Sequence, residues 1–329
     1  MRIVLDAMGT HGAPRSEVAG ALAALQEFDG DFRIVLVGDR AVVQAELARH
    51  RDVPMDRLEL EDAPDRVLPG EAPASVLRKH PNSSIVRGLQ LHKEGRADAF
   101  VSAGSTGAVM AASLFILRPL EGVDRPAIGT LLPTAANQII MLDAGANVDC
   151  KTHHLIQFAH LGNIYAQDLM GLERPRIGLL NIGEEPEKGD ELALEAYQRL
   201  ACEPGIHFVG NIEGNEIIKG RCDVLVCDGF VGNVLLKFYE SVAQFIVGFL
   251  RRELKNAGAE KLDFQEAFRM LDYSECGGAP LLGVNGVSII CHGDSSPKAI
   301  RNAIRVATQS VRSSMVEHMA RELSSKEPV

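Results

Sequence analysis

Four segments carry residues able to act on an anion and a carbonyl group. Val101-Ser-Ala-Gly-Ser-Thr-Gly107 offers Ser102, Ser105 and Thr106 as hydroxyls beside Gly104 and Gly107, with the apolar run Ala108–Leu117 behind it. Glycines let a backbone turn tightly, and the unpaired N–H groups at a helix start favour a phosphate. Leu142-Asp-Ala-Gly-Ala-Asn147 sets Asp143 and Asn147 among small residues that permit close backbone approach. Leu180-Asn-Ile-Gly-Glu-Glu-Pro-Glu-Lys-Gly189 holds Lys188 with three acidic neighbours, and Cys227-Asp-Gly-Phe-Val-Gly-Asn233 ends on Asn233. Each has a plainer reading: a capped helix, an Asx-type turn, a solvated lysine and a second cap. Together, such polar, glycine-flexed segments point to a site for an anionic substrate.

Other chemistries find no support. The chain has no G-x-x-x-x-G-K-[ST] run and no G-x-S-x-G elbow, which argues against that class of nucleoside triphosphatase and against serine-nucleophile hydrolysis. His153 and His154 are adjacent, and neighbours on a helix point about 100° apart. No carboxylate stands at ligand spacing from them, so no metal is expected, and no cofactor.

The elements that must hold these segments alternate along the chain. Strand-like runs fall at Ile3–Leu5, Arg33–Val37, Ala99–Val101, Ala127–Leu131, Gln138–Leu142, Arg176–Leu180, His207–Val209, Val224–Cys227 and Val287–Cys291. Between most of them lie helical patterns, the longest through Leu235, Phe238, Tyr239, Val242, Phe245, Ile246, Phe249 and Leu250. Alternating β and α units imply a largely parallel sheet covered by helices, with ligands outside the carboxyl ends of the strands.

The chain has 329 residues, enough for two lobes or one large α/β unit. A hydrophobic share of 46% and a charged share of 24% fit a soluble globular protein, and a net charge of −10 argues against general nucleic-acid binding. Six cysteines without C-x-x-C spacing read as reduced, buried thiols. Met1-Arg-Ile-Val-Leu-Asp6 starts a strand at once and lacks a signal peptide's apolar region, so a cytosolic protein is expected. No uncharged apolar stretch reaches the roughly 18 residues of a membrane span, which leaves only peripheral membrane contact.

The runs Asp6-Ala-Met-Gly9, Val101-Ser-Ala-Gly-x-Thr-Gly-Ala108, Arg125-Pro-Ala127, Leu142-Asp-x-Gly-Ala-Asn-Val-Asp-Cys150, Leu179-Leu-Asn-Ile-Gly183, Gly210-Asn-x-Glu-Gly214, Asp228-Gly-Phe-x-Gly-Asn233 and Gly277-Gly-Ala-Pro-Leu-Leu-Gly283 resemble the bacterial acyl-carrier-protein:phosphate acyltransferases, the PlsX family. They follow the family's order over nearly the whole chain. The resemblance implies a three-layer α/β/α fold like isocitrate dehydrogenase and phosphotransacetylase, a homodimer, and a site in an interdomain cleft. It implies a terminal lobe of residues 1–125 with 279–329 and a central, dimerising lobe of 126–278. The implied reaction joins phosphate to the acyl group of acyl-carrier protein, an early step of phospholipid synthesis. Two departures stand out: Thr10-His11 replaces the family's Gly-Asp after Gly9, and Ser105 replaces an asparagine.

Phosphate can attack a thioester without a covalent enzyme nucleophile, so the protein must hold two reactants and stabilise an oxyanion. On that scheme Ser102, Gly104, Ser105 and Thr106 bind phosphate. Lys188 neutralises charge, Asn233 donates to the oxyanion, Asp143 and Asn147 orient these partners, and His292 protonates the departing thiolate. The plainer account of the His292 segment is the helix start marked by Ser296-Pro297. An acidic carrier protein needs a basic patch. Lys298, Arg301, Arg305 and Arg312 fall within roughly 60° of arc on one helix, with Ile300, Ile304, Ala307 and Val311 on the adjoining face. Phe249–Gly258, followed by Ala259–Leu262, mixes apolar and basic residues that suit an anionic lipid surface or, equally, a dimer or core helix. The alternatives are a phosphotransacetylase-like enzyme using coenzyme A thioesters and a non-catalytic carrier-protein or membrane adaptor.

Overall fold

The computed structural model describes residues 1–28, 31–68, 70–135, 137–256 and 277–324. Two compact units emerge. The first comprises Met1–Pro126, Asp168–Gly171 and Gly277–Val329; the second comprises Ala127–Gln167 and Leu172–Cys276.

In the first unit the sheet runs Leu58–Asp62, Arg33–Gly38, Arg2–Asp6, Ala99–Ser102, Val287–Ile290, Ala279–Leu282. The seventh strand of that order, Ala127–Ile128, is where the chain passes into the second unit. All pairs from Leu58–Asp62 to Val287–Ile290 are parallel, and Ala279–Leu282 turns back antiparallel. Side chains alternate across a strand. Ile3, Leu5, Ile34, Leu36, Val101 and Ile289 therefore join one buried cluster with Val18 and Leu22 of the helix Arg15–Glu27 and Ile300 and Ile304 of the helix Pro297–Arg312. That last helix starts where expected: Ser296 accepts from the Ala299 N–H at 3.3 Å, and Pro297 occupies the first turn. Ile300 has no exposed surface, so truncating it to alanine would cost about 2–5 kcal/mol.

In the second unit the order is Thr130–Pro133, Gln138–Leu142, Val224–Val226, Arg176–Asn181, His207–Glu213, with only the first strand antiparallel. Long helices Thr152–Asp168 and Gly229–Asn256 follow its strands.

Some expectations change. Ala127–Leu131 is two strands, Ala127–Ile128 and Thr130–Pro133, and the strands Leu58–Asp62 and Ala279–Leu282 were not foreseen. The 26 residues Gly229–Leu254 are long and apolar enough to cross a membrane by length and composition, although charged residues interrupt them. That helix is amphipathic, however, with Lys237 and Glu240 paired at 2.8 Å. His153 and His154 do not point apart: their rings meet edge to face with centroids 4.1 Å apart. Cys222, Cys227 and Cys291 are buried thiols, but Cys202 is exposed and Cys150 half-buried. Burial pushes Cys222 and Cys291 up to about 12.

Candidate active site

Parallel pairing brings the ends of three first-unit strands together. Ile290 registers with Ser102, and the Cys291 N–H bonds to the Ser102 carbonyl at 2.8 Å. Leu5 registers with Val101, so the segment after Asp6 lies beside the 102–107 loop. A Cβ on Gly9 would stand 2.6 Å from the Gly104 nitrogen, an approach only glycine permits.

The loop then leads into the helix Thr106–Ile116, whose N-cap, Ser105, makes no side-chain capping bond. Ser105 and Thr106 are exposed, and neither hydroxyl has a partner among the described residues. This turn keeps donors and N–H groups open to an anion. Ser102 and Gly104 behave otherwise. Ser102 is fully buried, donates to Asp6 Oδ2 at 2.6 Å and accepts from the Gly104 N–H at 3.0 Å. Both groups are used internally, so the expectation that the Ser102 hydroxyl and the Gly104 N–H contact phosphate is corrected to a supporting role.

Around this turn lie groups that the sequence did not reveal. Arg66 donates to the Thr10 carbonyl at 3.3 Å, and its charge acts on the buried Asp6 carboxyl, opposing the rise that burial causes there. Glu17 is buried and accepts from the Thr10 N–H at 2.6 Å and its hydroxyl at 3.1 Å, which gives the Thr10 departure a local partner. His11 bonds through its N–H to the Gly293 carbonyl at 2.9 Å, joining the second departure to the His292 segment. His292 is exposed, and its Nδ1 accepts from the Asp294 N–H at 3.2 Å, so a neutral ring carries its proton on Nε2.

In the second unit the three loops again follow adjacent parallel strands. Asp143 is fully buried. Its Oδ1 accepts from the N–H groups of Ile128 (3.1 Å), Gly145 (3.1 Å) and Ala146 (3.0 Å), and Oδ2 from the N–H (2.7 Å) and side-chain amide (3.0 Å) of Asn147. Burial pushes this carboxyl up and the bonds oppose the rise. Ringed by donors, Asp143 has no capacity left for base chemistry. It orients the loop, as does Asn147.

Asp228, not Asn233, caps the following helix, accepting from Phe230 and Val231 N–H at 2.8 and 3.0 Å. Asn233 is instead exposed and packs on Gly145, where φ is +133° and a Cβ would sit 2.7 Å from Asn233 Nδ2. One amide proton goes to the Ala144 carbonyl at 3.2 Å, leaving a second for a ligand.

Lys188 is exposed on a stapled loop: Asn181 Nδ2 donates to its carbonyl at 3.0 Å, and Asn211 Nδ2 to the Glu185 carbonyl at 2.9 Å. Arg221 pairs with Glu184 at 2.8 Å, removing one of the three acidic neighbours. No ion-pair partner of Lys188 lies among the described residues.

On the carrier stripe, Arg301 is bound to Glu27 at 2.6 Å and to Asn302, whereas Arg305 and Arg312 are exposed. The basic face is therefore shorter than the spacing alone predicts.

The family described as "Fatty acid synthesis protein" matches residues 1–318. A protein of Desulforamulus reducens named phosphate acyltransferase is 50% identical over 335 residues, covering 100% of this chain and 99% of its own. One of Heliobacterium modesticaldum with the same name is 49% identical and fully covered on both sides. In fold, the chain is similar to the EutD phosphotransacetylase from Staphylococcus aureus, with a TM-score of 0.64, 18% identity and 94% of each chain covered. The chain belongs to the fatty acid synthesis protein family, the PlsX-type phosphate acyltransferases that its motifs resemble.

Proposed function

We propose that this chain is a phosphate acyltransferase that moves a fatty acyl group from acyl-carrier protein to inorganic phosphate in phospholipid synthesis. The carrying observation is the open first turn of Thr106–Ile116, in a chain half identical to proteins named phosphate acyltransferases. A phosphate held by Ser105, Thr106 and the first N–H groups of that helix attacks the thioester carbonyl through one oxygen. A C–O bond forms and the carbonyl oxygen becomes an oxyanion, which calls for an amide donor and a positive charge; Asn233 Nδ2 and Lys188 are the second unit's candidates for those roles. The oxyanion collapses, the C–S bond breaks, and the proton that the phosphate gives up passes to the departing thiolate by way of His292. Acyl phosphate and free carrier leave.

The test is to incubate purified protein with phosphate and either acyl-carrier protein or coenzyme A thioesters, and to trap acyl phosphate. Product with the carrier is expected. Product with coenzyme A alone would favour the phosphotransacetylase-like alternative, and none with either would leave an adaptor.

We also infer that a second copy covers the helix Gly229–Asn256. Phe230, Val234, Phe238, Phe245 and Phe249 are all exposed along it, more contiguous apolar surface than a lone soluble chain usually presents. Sedimentation should show a dimer that Phe238→Glu with Phe245→Glu dissociates. Cytoplasmic placement with peripheral membrane contact is part of the same proposal. Of the proposed membrane segment, 257–262 lies outside the described residues. Vesicle flotation weakened by Leu254→Glu is the expected result.

A further inference from the structure

A buried carboxylate beneath the 102–107 loop has no part in the chemistry above. Asp6 ends the strand Arg2–Asp6 and is 1% exposed. Its Oδ1 accepts from the Met8 N–H at 2.9 Å and its Oδ2 from the Ser102 hydroxyl at 2.6 Å. Ser84 bonds it as well, from the start of the helix Ser84–Lys93. Ser102 has one proton to give. Having given it to Asp6, its oxygen is left to accept, and the Gly104 N–H points there at 3.0 Å. The two bonds run in one direction, from Gly104 to Ser102 to Asp6. The Gly104 N–H can only donate, so the Ser102 proton is left to Asp6 Oδ2, which accepts it. A group able to donate to Ser102 would turn the hydroxyl proton toward Gly104, where another N–H already points.

The consequence falls on the turn that follows. Gly9 presses on Ala103 and Gly104 from the other strand end, with its Cβ position 2.6 Å from the Gly104 nitrogen. Between that contact and the Asp6–Ser102 bond, Gly104 has no freedom to rotate its N–H outward. Ser105 and Thr106 come next, with hydroxyls that bond to nothing among the described residues.

We propose that Asp6 is a positioning residue for phosphate: by fixing the bond direction through Ser102 to Gly104, it holds the first turn of Thr106–Ile116 in the form that receives the anion. The inference rests on the reading of that turn as the phosphate site and adds a residue to it. It also gives the Asp6-Ala-Met-Gly9 run a physical task, which the loop's departure at Thr10 and His11 leaves intact.

The test compares Asp6→Asn, Ser102→Ala and the pair Ser105→Ala/Thr106→Ala in the full chain. Asparagine has one side-chain oxygen, so it cannot satisfy both the Met8 N–H and the Ser102 hydroxyl. The phosphate KM should rise about tenfold, the effect of one misdirected buried hydrogen bond, in both Asp6→Asn and Ser102→Ala. The thioester KM and kcat at saturating phosphate should stay near wild type. Inorganic phosphate should raise the melting temperature of the wild type and lose that effect in the variants. An unchanged phosphate KM in folded Asp6→Asn, a parallel rise in both KM values, or failure of both single variants to fold would overturn the proposal. If Ser105→Ala/Thr106→Ala raises the phosphate KM and Asp6→Asn does not, only the role of Asp6 falls. If the hydroxyl pair changes nothing, the phosphate site itself falls with it.

Discussion

Each unit builds its loops around an aspartate buried at the end of a parallel strand, but the two aspartates are satisfied in opposite ways. Asp143 draws all five of its donors from residues 128–147, and four are main-chain N–H groups. Asp6 takes one main-chain N–H, from Met8, and otherwise relies on hydroxyls 78 and 96 residues away, at Ser84 and Ser102. A hub fed by its own backbone makes a self-contained loop. A hub fed by distant side chains makes a loop whose geometry depends on the register of the whole sheet. The first arrangement is rigid wherever the segment folds, while the second can be lost to a single remote substitution.

The largest effect should come from breaking the self-contained hub. Asp143→Ala leaves four main-chain N–H groups without an acceptor, one buried and three half-buried, at a cost on the order of 3–5 kcal/mol. Urea denaturation should show this loss, and activity should vanish with the fold. Asp6→Asn should by contrast stay folded and lose phosphate affinity. If the two variants behaved alike, the distinction between the hubs would collapse.

Next come the groups that the second unit's loops present. Lys188→Ala and Asn233→Ala should fold normally, since the Lys188 side chain has no ion-pair partner among the described residues and Asn233 gives up only its bond to Ala144. Each should lower kcat by about a hundredfold, the usual consequence of losing an oxyanion partner. Near-normal turnover in both would mean that the second unit supplies scaffold and no chemistry.

The same contrast explains what could be read in the sequence. Asp143-Ala-Gly-Ala-Asn147 is legible because its partners are near neighbours, and an Asx-type turn is a local object. The alternation that placed the parallel strands is equally local. Ser102 was misread as a ligand group because nothing near it announces Asp6, which meets it only through the pairing of Leu5 with Val101. Arg66 was missed for the same reason, since it acts on Thr10 from 56 residues away, whereas Glu17 lies only seven residues off, on the next helix. Leu58–Asp62 does alternate, as Leu-Glu-Leu-Glu, but it is a partly exposed outer strand whose charges mimic a surface turn. Asn233 lies in the first turns of the helix Gly229–Asn256, and its position depends on Gly145, 88 residues earlier.

Glu17 sharpens the comparison through pH. Burial raises its carboxyl from 4.5 to about 7, against the two bonds from Thr10, and Asp6 nearby adds to the rise. Cys291 also faces it, and burial keeps that thiol protonated here. The folded chain holds the Glu17 proton up to about pH 7, whereas the unfolded chain releases it near 4.5. Between those values the folded state binds more protons, so stability falls as pH rises and levels off above pH 7. Glu17→Gln is neutral throughout and keeps an acceptor for the Thr10 N–H. Denaturation at pH 5 and pH 7 should show the wild type losing on the order of 2 kcal/mol relative to this variant. Parallel curves would show that the remote hubs of the first unit carry no pH dependence.

The smallest effect concerns the carrier, and here the two units serve as each other's control. Arg305 and Arg312 are exposed on the helix Pro297–Arg312 of the first unit, and Arg301, half-buried, is bound to Glu27. An acidic carrier approaching that face gains from the first two charges before any contact forms. Reversing them should slow association more than it changes the bound state. Arg305→Glu with Arg312→Glu should lower kcat/KM for the acyl-carrier substrate by about threefold per charge at low ionic strength. The loss should shrink as added salt shortens the screening length toward about 3 Å at 1 M. Turnover of a small acyl thioester should be unchanged. Arg199→Glu, on the helix Glu191–Cys202 of the second unit, gives the background for a reversal of the same sign. Arg301→Glu should show a smaller kinetic loss, since Glu27 already offsets that charge, plus a small drop in melting temperature, because it sets two carboxylates side by side at Glu27. Equal losses with both thioesters, or a loss from Arg199→Glu as large as from the stripe, would return the stripe to an ordinary solvated face.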